Sequence, residues 1–275
     1  MNQKREVQRD WDWYLNRIKI SGNTPNFYCS IPYLKASKFT MRLIHGYVYV
    51  LDDGIHVFPP IPNQSVYKPR KGSPEPILLQ PPFIWSTFIE SVVPEGYRKE
   101  LLDMQYIFNQ HSFLHMWGGE WAVFRKNCRK WSLRSGHTLH LDIVNGLTRA
   151  SRRILGEWLE SKEDEVQDAE VMVEYLTNPT EGTTIGILRD EHGTEWGILA
   201  WDDNWEYINF RYCIVAVGQP YLTEAAKLMF YLQDIIQFDP RLVNDGGVVD
   251  SAGLRDFKDR MNPTLRQSIY SWRAV

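Results

Sequence analysis

The sequence of residues 183–218 predicts three successive β-strands. No other segment restricts so strongly the folds that the chain can adopt. Runs of β-branched and aromatic residues are separated here by two turn signals, His192-Gly193 and Asp202-Asp203-Asn204. Glycine accepts a positive φ at little cost, and Asp and Asn bond to neighbouring backbone groups in turns. Short strands joined by such turns predict an antiparallel meander.

The segments around the meander predict helices and further strands. Helical patterns lie at 147–161, 163–176, 222–238 and 251–261. Strand-like segments lie at 137–144, 241–244 and 268–275. Elements in this order predict an α+β fold with a mixed central sheet flanked by helices.

The first hundred residues carry a weaker form of the same pattern. We expect a helix at 4–19, a small meander at 40–58, a Pro-rich linker at 59–82, a short helix at 83–90 and a helix at 97–110. The Asp53-Gly54 pair in the early meander is a strong hairpin signal. Two meanders in one chain fit a duplicated fold, so we expect an N-terminal half at 1–95 and a C-terminal half at 96–275.

A basic amphipathic helix is predicted between Gly119 and Gly136. Its apolar residues recur every three or four positions, at Trp121, Phe124, Cys128 and Trp131. Its other faces carry Arg125, Lys126, Arg129, Lys130 and Arg134. These cations could bind phosphate groups of a nucleotide, a tRNA or DNA, or they could form an ordinary solvated helix face.

Composition excludes several classes of protein. The net charge is −3, so attraction to nucleic acid or acidic lipid must come from a local patch. The three cysteines include no Cys-x-x-Cys pair, which argues against a disulfide framework and favours a reducing cytoplasm. No run of about 18 apolar residues occurs, so no membrane-spanning helix is expected. The 11 Trp residues suit a packed interior or a groove that stacks planar ligands.

Neither a metal site nor a covalent nucleophile is expected. His137 and His140 would face opposite ways on a strand, and His111 and His115 lack the Glu that helical zinc motifs carry. Neighbouring cations could lower the pKa of Cys128, but a packed helix cysteine is the favoured interpretation.

Three segments, in order, resemble the family of the phosphatidylglycerol lysyltransferase C-terminal domain. They are Phe58-Pro59-Pro60-Ile61, the run Arg125 to Trp131, and the series Asn244 to Gly247, Gly253 to Lys258, Pro263 and Tyr270. The resemblance implies two tandem GNAT-like halves, with an activated acyl or aminoacyl donor and an acceptor that enters a cleft. The glycine-rich pyrophosphate loop of acetyl-CoA-dependent relatives is missing, since residues 217–223 contain one Gly and a Pro without an N–H.

The resemblance and the strand pattern together nominate site residues. Arg255 and Lys258 lie three apart on the last helix and share a face, and with Asn209 they are the catalytic candidates. Tyr207, Asn209 and Arg211 alternate along a strand and point to one face. The substrate-binding candidates are Arg125, Lys126, Asn127, Arg129, Lys130, Tyr207, Arg211, Gln219 and Asn244.

The resulting hypothesis is an acyltransferase that moves an aminoacyl or related acyl group to an amine or hydroxyl. Its donor co-substrate would be aminoacyl-tRNA or acyl-CoA, and no permanently bound cofactor is expected. One alternative is a GNAT-like enzyme that modifies a nucleic-acid base, since a basic helix and many Trp residues suit base stacking. The other is a binding module that keeps the fold without the chemistry.

Overall fold

The computed structural model describes residues 10–20, 26–44, 46–52, 55–58, 60–63, 83–86, 96–162, 166, 168–233, 241–248 and 251–275. The chain divides into two compact units. The first comprises Met1–Met104 and Gln267–Val275, and the second comprises Gln105–Arg266. The division into GNAT-like halves at 1–95 and 96–275 stays a prediction.

The first unit contains a small antiparallel sheet. Its helices are α1 (Trp11–Ile20) and α2 (Ile31–Ala36), and its strands are β1 (Thr40–Ile44), β2 (Tyr47–Asp52), β3 (Ile55–His56) and β4 (Ile61–Pro62). Strand β2 pairs with β1, β3 and β4, and all three pairings are antiparallel. The expected early meander is thereby confirmed. The expected helix at 4–19 is present from Trp11, and residues 4–9 lie outside the described residues, as do most of 59–82.

Two helices predicted before residue 111 are wrong. Residues Phe83–Ser86 form strand β5, which pairs antiparallel with β12 (Leu265–Ala274), and residues 87–90 lie outside the described ranges. Residues Tyr97–Phe108 form strand β6. The apolar positions that suggested a helix do not share a buried face there, since the Leu101 side chain is 58% exposed. Sheet pairing and burial outweigh the helix propensity of this segment.

The second unit contains the main mixed sheet. Its strands are β7 (Leu139–Val144), β8 (Thr184–Asp190), β9 (Glu195–Asp203), β10 (Tyr207–Val215) and β11 (Leu242–Asn244). They lie in the order β11-β10-β9-β8-β7, and the end of β6, from Gln105, pairs with β11. The meander β8-β9-β10 is antiparallel, as expected, whereas β11 runs parallel to β10. The α+β prediction, a mixed sheet flanked by helices, is confirmed.

Helices surround this sheet. They are α3 (Gln110–His115), α4 (Ala122–Ser135), α5 (Arg149–Lys162), α6 (Ala169–Thr177), α7 (Leu222–Tyr231) and α8 (Ala252–Asp259). Helix α4 is the predicted basic helix, and it buries Phe124, Cys128 and Trp131. It ends at Gly136, whose φ of 72° is the left-handed conformation that glycine adopts most easily. Within the described residues, the helices are all too short or too polar to traverse a bilayer.

Aromatic rings pack α7 against the sheet and against α3. The rings of Phe210 and Phe230 stack with centroids 3.9 Å apart, and those of Phe113 and Tyr231 stack at 3.8 Å. Trp201 meets Phe230 edge-on at 5.2 Å. These rings support the expectation that many aromatic residues pack in the interior. Buried aromatic pairs stabilise the fold through the apolar area that they bury and through the attraction between their rings.

Replacing Phe230 by Ala removes the ring on which Phe210 and Trp201 both pack. We expect the free energy of unfolding to fall by about 3–5 kcal/mol, because a cavity is added to the lost burial. Urea unfolding followed by circular dichroism measures this. Leu133→Ala is the control, since that side chain is 84% exposed, and its change is expected within about 0.5 kcal/mol. Equal effects of the two substitutions would contradict this account of the core.

Candidate functional site

A row of polar side chains crosses the main sheet on one face. Asn209 on β10 pairs with Asp202 on β9 and with Asn244 on β11. Directly paired residues of neighbouring strands point to the same face, so these side chains lie side by side. All three are buried. Strand β11 ends at Asn244 while β10 continues to Val215, so the row marks the point at which the parallel pairing stops.

Asp202, at one end of this row, accepts hydrogen bonds from three side chains. Arg211 grips its carboxylate with two parallel hydrogen bonds, from Nε to Oδ2 at 2.7 Å and from Nη2 to Oδ1 at 3.0 Å. The Tyr175 hydroxyl donates to Oδ2 at 2.9 Å, and Asn209 Nδ2 donates to Oδ1 at 3.0 Å. Both charged side chains are fully buried. A buried charge requires such pairing, so this cluster holds β9, β10 and α6 together.

The pKa values in this cluster follow from burial and charge. Burial lowers the pKa of Arg211, but the adjacent Asp202 carboxylate outweighs it and the pKa is raised overall. Burial raises the pKa of the Tyr175 hydroxyl well above its usual value, and the negative charge of Asp202 adds to the effect. The Arg211 guanidinium therefore stays charged and the Tyr175 phenol stays protonated near neutral pH.

Asn244 shapes the loop that follows β11. Its Nδ2 donates to Gln105 Oε1 at 2.8 Å, and its Oδ1 accepts from the backbone N–H of Gly246 at 3.0 Å. Gly246 has a φ of 68°, so the loop turns through a conformation that favours glycine. The Asn-Asp-Gly-Gly run is thus a turn that an amide side chain stabilises.

A second buried ionic cluster surrounds Asp245. Lys227 on α7 forms an ion pair with Asp245 Oδ2, and the Lys258 ammonium lies 3.6 Å from Asp245 Oδ1. Lys258 also donates to the backbone carbonyls of Asp245, Gly246 at 3.1 Å and Gly247 at 2.8 Å. All three ionic side chains are buried. The three ammonium protons of Lys258 are therefore directed at one loop.

Arg255 lies apart from Lys258 although both belong to α8. The Arg255 side chain is exposed, whereas Lys258 is buried against the loop after β11. Ser251 caps the N-terminus of α8, since its Oγ accepts from the backbone N–H of Leu254 at 3.2 Å. The structure thus brings Asn209, Arg211 and Asn244 together and leaves Arg255 at the surface.

The exposed face of α4 forms a basic groove of about 360 Å³. Its lining residues are Ala122, Arg125, Lys126, Arg129, Lys130 and Leu133. Lys126 and Arg129 are exposed to solvent. Lys130 is braced by Tyr221, since its ammonium lies 4.7 Å from the ring centroid and 3.3 Å from the hydroxyl. Such a face can receive phosphate oxygens.

Two other α4 candidates are engaged with the protein. Arg125 donates to the backbone carbonyls of Met116 and Gly118, the latter at 3.1 Å. Asn127 Nδ2 donates to Glu224 Oε1 on α7 at 2.9 Å. Arg125 therefore holds the loop before α4, and Asn127 joins α4 to α7.

The remaining candidates are Tyr207, the first residue of β10, and Gln219, in the turn that follows this strand. Tyr207 is buried, and its backbone N–H donates to Asn204 Oδ1 at 2.8 Å within the β9–β10 turn. Gln219 is exposed in the turn between β10 and α7, where its carbonyl accepts from the N–H of Leu222 at 3.4 Å. Tyr221 precedes α7 with a φ of 69° and makes no side-chain cap.

Cys128 is a packed thiol. Its Sγ lies 3.4 Å from the carbonyl oxygen of Glu224. Burial raises the pKa of Cys128 to about 12, and the negative charge of Glu224 adds to this. The favoured sequence interpretation, a packed helix cysteine, is confirmed, because thiolate is the reactive form.

Residues that sequence reasoning missed include Asp202, Tyr175, Lys227 and Asp245. Asp202 was assigned to a turn signal, but it is the last buried residue of β9. A Lys within the apolar sequence of α7 was a signal for a buried partner, because Lys is seldom buried unpaired. Nothing in the sequence pointed to Tyr175, whose partner is 27 residues away.

Replacing Arg211 by Met leaves the Asp202 carboxylate buried without its cation. We expect the free energy of unfolding to fall by about 3–5 kcal/mol. Chemical denaturation of the full chain measures it. Arg255→Met is the matched control, because the same atoms are removed at an exposed position and little change in stability is expected. A mild effect of Arg211→Met would show that the pair is not a structural requirement.

The Cys128 thiol is expected to resist alkylation in the native protein. With a pKa of about 12, only a minute fraction is thiolate at pH 8, and the side chain is buried. Mass spectrometry after treatment with iodoacetamide should find Cys128 unmodified until denaturant is added. Modification under native conditions at the rate of an exposed thiol would overturn this assignment.

Comparison with protein-family models gives no match, and comparison with curated protein sequences gives none either. Solved structures do match along nearly the whole chain. L-PGS from Bacillus licheniformis aligns with a TM-score of 0.61 at 14% identity, covering 98% of this chain and 94% of that one.

Two further solved structures align equally well. A conserved protein of unknown function from Bacteroides thetaiotaomicron gives a TM-score of 0.63 at 12% identity and covers 100% of both chains. The C-terminal domain of a protein assigned as a lysylphosphatidylglycerol synthetase from Agrobacterium fabrum gives 0.60 at 11% identity, covering 96% and 92%. The chain therefore has the fold of L-PGS and of the lysylphosphatidylglycerol synthetase C-terminal domain, which confirms at the level of the fold the resemblance predicted from its motifs.

Proposed function

We propose that this chain is an acyltransferase that transfers an aminoacyl or related acyl group to an amine or hydroxyl acceptor. The fold shared with L-PGS supports this class of reaction. The observation that carries the proposal is the basic groove of α4, where Lys126 and Arg129 are exposed and Lys130 is braced by Tyr221. A face that presents several cations suits a donor that is rich in phosphate.

Aminoacyl-tRNA fits this chain better than acyl-CoA as the donor. A compact pyrophosphate needs several backbone N–H groups at a helix start. The turn before α7 contains Pro220, which has no N–H, and Tyr221, whose ring instead lies against Lys130. An extended phosphate backbone can instead follow exposed side chains along α4, without requiring a glycine-rich loop.

The transfer needs positioning more than a covalent nucleophile. An amine or hydroxyl attacks the ester carbonyl, and the enzyme orients both groups and stabilises the developing oxyanion. Arg255, exposed on α8, is the proposed oxyanion-stabilising cation. Lys258 orients the loop 245–247 by its three carbonyl contacts. Asn209 is the third residue proposed to help orient the reacting groups. Its Oδ1 is buried and accepts no hydrogen bond within the described residues.

A non-catalytic binding module is the second candidate. The observation that favours it is that Arg211 and Lys258 both form ion pairs with buried carboxylates, so neither charge faces a substrate. In that case the α4 groove would still bind its ligand while no transfer would follow. For both candidates we propose a reducing, cytoplasmic setting, which suits three free cysteines.

Binding of aminoacyl-tRNA is tested first, by filter binding across a range of salt concentrations. We expect Lys126→Ala/Arg129→Ala to weaken binding and to reduce the slope of log affinity against log salt by roughly one to two. Arg149→Ala/Arg152→Ala is the matched control, because it removes two exposed helical cations from α5. Equal loss in both variants would indicate non-specific attraction and contradict a donor site on α4.

Transfer is tested next, with radiolabelled aminoacyl-tRNA and a panel of amine and hydroxyl acceptors. We expect Arg255→Ala to lower transfer by roughly a hundredfold while tRNA binding stays unchanged, as for loss of one oxyanion donor. Binding by the wild type without transfer to any acceptor would favour the binding module. Transfer of the label from the aminoacyl ester to a nucleic-acid base would favour the base-modifying alternative.

A further inference from the structure

Two histidines and a glutamate converge at the junction of α4, β7 and the β8–β9 turn. His137 Nδ1 lies 3.3 Å from Glu191 Oε1, and His192 Nε2 lies 3.7 Å from the same oxygen. One ligand atom of each residue lies within 4.8 Å of the other two. No other trio of His, Cys, Asp or Glu converges in this way within the described part of the chain.

The backbone holds both sides of this cluster in place. The N–H of His137 donates to Ser135 Oγ at 3.1 Å, and Ser132 Oγ donates to the His137 carbonyl at 3.2 Å. On the other side, Asp190 Oδ1 accepts from the backbone N–H of His192 at 2.9 Å. The end of α4 and the β8–β9 turn thus present their imidazoles from separately braced segments.

The Glu191 carboxylate is oriented toward the imidazoles. Its Oε2 accepts from the backbone N–H of Thr138 at 2.8 Å, which leaves Oε1 facing His137 and His192. Behind it, the buried Asp190 Oδ2 lies 3.6 Å from His137 Nδ1 and accepts from Trp196 Nε1 at 3.0 Å. Asp190 lies beside the same His137 nitrogen that faces Glu191, so its carboxylate adds negative charge next to the cluster.

These distances suit a small transition-metal ion. Zinc binds His nitrogens and carboxylate oxygens at about 2.0–2.2 Å, so neighbouring ligand atoms of a tetrahedral site lie about 3.3–3.5 Å apart. The two measured separations from Glu191 Oε1 bracket this range. Side-chain exposures of 30% for His137, 40% for Glu191 and 70% for His192 leave room for water.

We propose that His137, Glu191 and His192 bind a divalent transition-metal ion of the zinc class, with water in the fourth position. Two neutral imidazoles and one carboxylate suit Zn²⁺ or Co²⁺ better than Mg²⁺, which prefers oxygen ligands. The ion joins the end of α4 to the β8–β9 turn. It stabilises the folded chain by mass action, because these ligands converge only in the folded state.

The test uses the untagged full chain, stripped of metal with a chelator. Titration calorimetry with ZnCl₂ is expected to show one ion per chain, and CoCl₂ is expected to give the visible absorption spectrum of a tetrahedral site. His192→Ala is expected to weaken Zn²⁺ binding roughly tenfold or more. His140→Ala is the matched control, because that exposed histidine on β7 lies outside the trio, 3.7 Å from Asp142.

His192 is exposed, so its loss should not disturb folding, and melting of the metal-free variants checks this. Glu191→Gln supplies a second variant that keeps the shape of the side chain and removes its charge, and it too is expected to weaken binding. Absence of Zn²⁺ binding by the wild type would overturn the proposal. So would equal binding by the wild type, His192→Ala and Glu191→Gln, since the ion would then be held elsewhere.

Discussion

The buried ion pair between Arg211 and Asp202 is the constraint on which the second unit depends. Removing two charges from water costs several kcal/mol per ion. The attraction between the ions offsets this cost only when they lie close together in a fixed geometry with further hydrogen bonds. Tyr175 and Asn209 complete that geometry by donating to the same carboxylate. Asp202 lies on β9, Asn209 and Arg211 lie on β10, and Tyr175 lies on α6. The cluster therefore helps to fix the register of the two strands and the position of the helix. A slip of one residue would turn Arg211 to the opposite face of the sheet.

The polar row continues from this pair into the loop after β11. Asn209 lies beside Asn244, and Asn244 shapes the turn whose carbonyls receive Lys258. Several residues of the family-like motif therefore build the sheet and its loop. Residues that present charge to solvent are instead found on α4 and at Arg255. Other residues of the same matching segments lie at the surface, since the run Arg125 to Trp131 belongs to α4 and Arg255 belongs to α8.

Element prediction succeeded where local chemistry and tertiary packing agree. The β8-β9-β10 meander has turn residues at both ends of short β-branched runs, and it formed as predicted. The helix predicted at 97–110 was wrong. The Glu, Leu and Met residues of this segment favour a helix in isolation, but the pairing of Ile107 and Phe108 with β11 makes it a strand. The candidate site residues stay predictions, and their contacts could not be predicted from the sequence. Arg125 bonds to a carbonyl in the loop before α4, and Asn127 bonds to Glu224 on α7.

The sequence by itself determined the α+β class and the basic face of α4, because periodicity, turn residues and composition are local properties. Only the tertiary structure decided which charges are buried and which are free to meet a ligand. Lys258 and Arg255 illustrate this, since they lie three residues apart on one helix and yet one faces a loop of carbonyls and the other faces water. The reason is that burial and pairing depend on contacts between segments far apart in the chain. The convergence of His137 with Glu191 and His192 has the same origin.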